Sequence, residues 1–190
     1  MEVVGGILGA FGLSASAGLN AYIPLLVVAL LAKFTPLLNL NGRWEALTSW
    51  WVIGVLAALS IIEFVADKVP AVDHINDGLQ TFVRPVAGAI VFAASTNAVT
   101  DVNPVLSLIA GLFVAGSVHT VKSAAVRPLV TASTAGVGDP VVSFIEDILA
   151  TLVSVLSIVM PLLMLVILIL VVWWIATWFG NRQHAKAAGE

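Results

Sequence analysis

Ionisable side chains stand inside or beside long apolar stretches of this 190-residue sequence, and they are the first candidates for chemistry. The set comprises Glu63, Asp67, Arg84, Glu146 and Asp147, with His119, Lys122 and Arg127 near the ends of such stretches. An ionised group in an apolar environment is costly unless it faces a partner, a cavity or water. Side chains of this kind therefore either pair with one another or bind a proton, a cation or an anionic group.

The acidic residues Glu63 and Asp67 are four positions apart and would share one face of a helix. One interpretation places both at the headgroup level, where they end a helix in water. In the other, Glu63 lines a cavity and binds a proton or a cation.

A second set of polar residues would lie along one face of a helix if the segment that contains them is helical. Its members are Asp73, Asp77, Gln80 and Arg84. The stripe predicts either an amphipathic helix at the membrane interface or a functional site. In such a site Arg84, which keeps its charge, binds an anionic group or neutralises Glu63 or Glu146.

The segment Gly-Leu-Asn-Ala-Tyr-Ile-Pro at 18–24 contains the only tyrosine of the chain, Tyr22. Pro24 lacks a backbone N–H and leaves the carbonyl of Asn20 without its helical donor. That carbonyl needs a partner, and an ion, a water or a substrate can be one. Asn20 and Tyr22 are therefore candidate site residues. The alternative, equally open, is a packing kink in which Asn20 bonds a neighbouring helix.

Several classes of protein are excluded or disfavoured. The chain has no cysteine, which excludes disulfides and thiolate chemistry, and it lacks the common hydrolase, zinc-protease and phosphate-loop motifs. Its basic residues are few and scattered and the net charge is -3, which argues against nucleic acid as a partner. We expect no enzyme activity and no cofactor. A metal at Asp73, His74 and Asp77 is less favoured than a solvated loop.

The elements that must position these side chains follow from composition. Of the residues, 60% are hydrophobic and 10% are charged, and the mean hydropathy is +1.08, whereas soluble domains carry about 25% charged residues. We predict an all-α, polytopic transmembrane helical bundle of about six segments. They are 3–34, 50–66, 81–95, 103–121, 140–160 and 162–179. Residues 1–180 would form a single transmembrane domain, and 181–190 a polar tail.

Helix breaks are expected at several places. Segment 3–34 is over-long and should be kinked or interrupted, and Pro161 should break the apolar run from 140 to 179. Lys122 is expected to end the fourth segment. The stretches 67–95 and 140–160 are compatible with full spans or with re-entrant helices.

Weak self-similarity suggests two halves, 3–95 and 103–179. Gly12-Leu13 precedes Asn20 as Gly111-Leu112 precedes His119, and Ser60 to Glu63 parallels Ser143 to Glu146. With three spans in each half, the halves would insert in opposite orientations, as inverted repeats.

Under six spans, the basic residues fall unequally on the two sides. Lys68, Lys122, Arg127, Arg182 and Lys186 share one side, and Lys33 and Arg43 the other. The positive-inside rule then predicts cytoplasmic N- and C-termini.

Four motifs stand out in combination: the segment 18–24, Ile-Glu-Phe-Val-Ala-Asp-Lys-Val-Pro at 62–70, Val-Arg-Pro-Val-Ala-Gly at 83–88 and Gly-Asp-Pro at 138–140. With them the sequence resembles a family of bacterial and plastid membrane proteins, the domain of unknown function 4126 family. The resemblance covers nearly the whole chain. It implies a polytopic fold and a place in the bacterial inner (plasma) membrane, but no substrate. It marks for testing Asn20, Tyr22, Pro24, Glu63, Asp67, Lys68, Asp73, Asp77, Arg84 and Pro85.

The leading hypothesis is a small transporter or channel for an ion or small solute. Its pathway would be lined by Asn20, Tyr22, Glu63, Asp67, Asp77, Arg84, His119 and Glu146. A non-transporting scaffold or partner protein, or a lipid-binding protein, is the alternative. Besides the lipid bilayer, we expect a second copy as partner in a homodimer, with the small residues of the fourth span, Gly111 and Gly116, as its candidate interface.

Overall fold

The computed structural model describes residues 2–67, 70–98 and 102–164, together with 166, 167, 169, 170, 173 and 177; for residues 2 and 70–77 it describes the backbone alone. The described part is helical and contains no strand, which confirms the all-α prediction. The helices are α1 (Glu2–Leu19), α2 (Tyr22–Phe34), α3 (Trp50–Ala66), α4 (Pro70–Asn97), α5 (Pro104–Val121), α6 (Arg127–Thr134) and α7 (Asp139–Val159). A 3₁₀ helix, Gly42–Thr48, precedes α3, and a π-helical turn, Lys122–Val126, joins α5 to α6.

Three stretches of the described chain are long and apolar enough to cross a bilayer, namely 78–97, 104–134 and 139–159. A fourth is present if the 3₁₀ helix and α3, which meet at a bend of 61°, count as one span. Large apolar side chains such as Trp51 and Phe82 point outward, as lipid contact requires. These features support a membrane protein. The count of six stays a prediction, and most of its last segment, 162–179, lies outside the described residues.

The predicted interruption of the first segment is confirmed, but its form differs from a kink. Helices α1 and α2 meet at Asn20 and Ala21 and fold back as a hairpin, so that Gly5 and Gly9 of α1 line the same cavity as residues 36–39, which follow α2. The predicted sidedness treated 3–34 as a single crossing. Because α2 returns the chain to the end of the bundle where α1 begins, the distribution of basic residues no longer predicts on which side of the membrane α1 begins.

Close packing of small residues joins α1, α4 and α5. Gly88 of α4 lies against Ser14 and Gly111, and Thr96 of α4 donates a hydrogen bond to Ser107 of α5 (3.0 Å). Small residues allow helix backbones to approach closely in a membrane. The small stripe of α5 is therefore used inside the chain, and the expectation that Gly111 helps form a dimer surface is wrong. Gly116 of the same predicted surface lies near Pro85 of α4.

Helices α1 and α5 run in the same direction where they touch. The Ser14 hydroxyl donates to the carbonyl of Gly111 (2.7 Å), and one turn later Gly18 packs against the carbonyl of Ala115. Inverted repeats that begin at residues 3 and 103 require these helices to run in opposite directions. The inverted repeat is not confirmed, and this shared direction counts against it.

The fourth segment does not end at Lys122. A π-helical turn begins there and the helix continues through α6 to Thr134, with the N–H of Arg127 bonded to the carbonyl of Lys122. Residues five apart point in different directions in an α-helix, whereas an i→i+5 turn places them on one face. Lys122 and Arg127 are consequently both buried. The predicted break before Pro161 is confirmed, since α7 ends at Val159.

A buried charge network and a polar seam

Six charged side chains form a connected series that we name the charge network, and each is less than a tenth exposed. Its members are Glu63 of α3, Asp67 just after α3, Arg84 of α4, Lys122 of the π-helical turn, Arg127 of α6 and Glu146 of α7. These elements are brought together because α4 and α5 are antiparallel neighbours and the π-helical turn directs two cations inward.

Arg84 and Arg127 link the carboxylates of the network. The Nη2 atom of Arg84 lies 3.1 Å from Glu63 Oε1 and 3.9 Å from Asp67 Oδ2. The Nη2 atom of Arg127 lies 3.8 Å from the same Asp67 oxygen and 3.5 Å from Glu146 Oε2. Lys122 Nζ completes the series at 2.7 Å from Glu146 Oε2.

The predicted pairing of Arg84 with Glu63 is therefore present, and Glu146 has Arg127 and Lys122 as its cations instead. Glu63 is only 1% exposed, so the interpretation in which it ends a helix in water at the headgroup level is wrong. Asp67 is the C-cap residue of α3 but is also buried. Among the alternatives for Arg84, the contacts thus favour the one in which it neutralises Glu63.

His119 of α5 lies beside the network as a neutral ring. Arg84 Nη1 is 3.1 Å from its Nδ1 atom, and Thr81 Oγ1 is 3.1 Å from its Nε2 atom. A guanidinium only donates hydrogen bonds, so Nδ1 must be the acceptor and the proton must be on Nε2. This arrangement assigns the tautomer and leaves His119 without charge.

The tip of the α1–α2 hairpin is bonded to α7 and to the network. Asn20 Oδ1 accepts hydrogen bonds from the N–H groups of Tyr22 and Ile23, which starts α2, while its Nδ2 donates to Asp147 Oδ1 (3.0 Å). Since Ile23 is bonded in this way, the carbonyl of Leu19 lacks its helical donor and accepts from Lys122 Nζ (3.1 Å). The predicted bond from Asn20 to a neighbouring helix is confirmed.

Asn20→Asp is expected to destabilise the protein by about 1–3 kcal/mol, because it keeps the acceptors that start α2 but sets a second buried carboxylate against Asp147. Thermal unfolding in detergent measures the effect. Adding Asp147→Asn should restore most of the loss, since one donor and one acceptor again face each other. If the double variant is no more stable than Asn20→Asp alone, the Asn20–Asp147 contact is not the cause.

The remaining predicted site residues fall at the edge of the network or outside the described side chains. Tyr22 is half-buried and its hydroxyl lies near Gln80 of α4. Asp77 lies in α4, but its side chain is outside the described part of the chain. Of the other marked residues, Lys68 lies outside it entirely, as does the side chain of Asp73.

Sequence reasoning left Lys122, Arg127 and Asp147 out of the predicted pathway. Arg127 also donates to the hydroxyl of Ser143 (2.9 Å). A signal for Arg127 was available, because Val126 to Pro128 repeats the Val-Arg-Pro triplet around Arg84. Nothing comparable marked the π-helical turn.

A buried polar stripe runs along α7 and continues the network toward the other end of the bundle. Its members are Ser143, Glu146, Asp147, Ser154 and Ser157, at helical spacing, with the small apolar residue Ala150 on the same face. Large apolar residues such as Leu152 face outward. The Ser16 hydroxyl of α1 donates to the carbonyl of Ala150 (2.7 Å) and lies 2.8 Å from Ser154 Oγ. We name Ser16, Asn20, Asp147, Ser154 and Ser157 the polar seam.

A cavity of about 680 Å³ opens at the end of the bundle opposite the charge network. Its lining includes Gly5, Gly9, Ser95, Ser157 and Pro161. The hydroxyls of Ser95 and Ser157 are buried and have no hydrogen-bond partner among the described residues. The polar seam thus joins this cavity to the network over about 15 Å, at 1.5 Å per residue of α7.

No group of three or more His, Cys, Asp or Glu residues suited to hold a metal ion occurs among the described side chains. The chemistry of the site is that of ion pairs, hydroxyls and carbonyls. Such a set can bind or relay protons, cations or small polar solutes.

Comparison with known proteins gives one match. Residues 7–181 match the model of a family described as domain of unknown function, DUF4126, whereas no curated protein and no solved structure shows significant similarity. The matched range contains the polar seam, the whole charge network and both Val-Arg-Pro triplets. The chain therefore belongs to the DUF4126 family of domains of unknown function.

Proposed function

We propose that this protein is a small membrane transporter or channel for an ion or a small polar solute. The observation that carries the proposal is the reversed amphipathicity of α7: its buried face is polar from Ser143 to Ser157, and its outer face is apolar. In a protein that only needs to pack, a buried helix face is apolar. A polar interior joined to an apolar exterior is typical of a route for polar species through a bilayer.

The energetics point the same way. Buried ion pairs lose hydration that their mutual attraction often fails to repay, and apolar residues of similar volume can be at least as stabilising. Six charged groups shared among four helices and a π-helical turn are therefore a poor way to obtain stability alone. We infer that they are kept for binding or conduction, with the cavity as one mouth and the network as the gate at the other end.

The test is flux into liposomes that contain the purified protein, over a panel of protons, alkali cations, chloride and small uncharged solutes. We expect at least one species to move faster than into protein-free liposomes. The double variant Ser16→Ala plus Ser154→Ala removes the two hydroxyls in the middle of the seam and should lower that flux. Ser133→Ala, at an exposed position of α6, is the matched control and should leave it unchanged.

Two outcomes would contradict the proposal. Flux equal to that of protein-free liposomes for every species, with folded protein present, would favour the scaffold or lipid-binding alternative. Flux that the seam variant leaves unchanged would place the route elsewhere.

We further propose a homodimer in the bacterial inner membrane. A single bundle of this size makes a thin wall around any route, and a second copy would thicken it. Crosslinking in native membranes tests the dimer, and its interface must use residues other than Gly111.

A further inference from the structure

Carboxylates outnumber cations among the described buried side chains near the seam. The described buried side chains there include four carboxylates, Glu63, Asp67, Glu146 and Asp147, and three cations, Arg84, Lys122 and Arg127. His119 adds no charge, because its Nδ1 accepts from Arg84. A buried ionised carboxylate is costly unless it is paired or takes up a proton.

Glu63 differs from the other three carboxylates in its contacts. Glu146 faces both Lys122 and Arg127, Asp67 faces both arginines, and Asp147 accepts from Asn20. Glu63 bonds Arg84 through Oε1, while its Oε2 atom is buried and has no hydrogen-bond partner.

We propose that Glu63 binds one exchangeable proton on Oε2, and that the proton is the ion this protein transports or couples to. The transport of this proton rests on the proposed function. Its binding to Glu63 does not. Binding transfers a proton from water to Oε2 and forms one O–H bond, with no other reactant.

The surroundings of Glu63 allow the proton to act on the network. Charged and titratable groups face it from each neighbouring element: Asp67 beside its own helix, Arg84 of α4, Tyr22 of α2, His119 of α5 through Arg84, and Lys122 of the π-helical turn. When Glu63 is neutral, Arg84 is held less strongly by Oε1. Its guanidinium is then free to approach Asp67, which is 3.9 Å away. Proton binding thereby changes the contacts between α3 and α4.

The test is infrared difference spectroscopy of detergent-solubilised protein while the pH is changed, which detects the C=O stretch of a protonated carboxyl group. We expect a buried carboxylic-acid band at neutral pH that disappears at alkaline pH in the parent, in Glu45→Gln and in Asp147→Asn. Glu45 is an exposed carboxylate on the 3₁₀ helix and serves as the matched control. In Glu63→Gln the band should be lost.

Thermal stability provides a second test, which does not depend on spectra. Glutamine resembles protonated glutamate, so Glu63→Gln should unfold at nearly the parental temperature at neutral pH. Glu146→Gln, which deprives two buried cations of their shared carboxylate, should unfold at a clearly lower one. Failure of Glu63→Gln to fold would overturn the proposal, because a neutral side chain at that position would then be intolerable.

The outcomes separate this inference from the proposed function. A band assigned to Glu63 without any flux in liposomes would retain the proton site and reject transport. Flux of some species, with Glu63 ionised at every pH, would retain transport and reject the proton site.

Discussion

At alkaline pH, where Glu63 is ionised, Arg84→Met is expected to lower the free energy of unfolding by about 3–5 kcal/mol, because removing one partner of a buried ion pair leaves an uncompensated charge. Arg84 is fully buried; it donates hydrogen bonds to Glu63 and His119 and forms an ion pair with Asp67. Urea or thermal unfolding in detergent measures the loss. Arg43→Met, at an exposed position beside α3, is the matched control and should change stability little.

A double variant identifies the cause. Glu63→Leu added to Arg84→Met replaces the pair by apolar groups and should recover much of the loss, since Asp67 still faces Arg127. If the double variant is as unstable as the sum of the single ones, Arg84 stabilises the fold through its packing and not through its pairing with Glu63.

Gly111→Val is expected to destabilise the protein by about 1–3 kcal/mol or more, because it overpacks a closed helix crossing. A Cβ atom added at Gly111 would lie 2.6 Å from the Cβ of Phe92 and 2.8 Å from the Cα of Ala89, and would meet the carbonyl of Gly88. Backbone atoms on α4 do not move aside as a flexible side chain would. The same unfolding measurement detects the loss.

Gly54→Ala is the matched control for this prediction. A Cβ at Gly54 meets nothing within 4 Å, and alanine is favoured over glycine in a helix by up to about 1 kcal/mol. The substitution should therefore leave stability unchanged or increase it. Tolerance of Gly111→Val would show that α4 and α5 do not approach as closely as the structure has them.

The sequence was sufficient for the fold class and for part of the site. Apolar length and low charge predicted membrane helices, and the cost of intramembrane charge marked Glu63, Arg84 and Glu146, which are all buried in the network. Asn20 was identified because Pro24 disturbs the helix around it. These features depend on local sequence or on a simple energetic rule, which is why they could be predicted.

Features that depend on the three-dimensional path were missed. The hairpin of α1 and α2 looks like one interrupted span in sequence, because a kink and a reversal use the same glycine, asparagine and proline residues. The π-helical turn has no distinctive residues, yet it brings Lys122 and Arg127 onto one face. The small stripe of α5 suggested an interface between copies because sequence does not tell which helix it contacts.

The most direct test of a polar route uses the absence of cysteine in the parent. Single variants Ser157→Cys at the cavity, Ser143→Cys at the network and Leu152→Cys on the outer face of α7 would be treated in sealed membranes with a membrane-impermeant thiol reagent. The account predicts that Ser157→Cys reacts from one side of the membrane and Ser143→Cys from the other, whereas Leu152→Cys, which faces lipid, stays unlabelled. Protection of Ser157→Cys and Ser143→Cys from both sides, as complete as that of Leu152→Cys, would contradict a route through the interior.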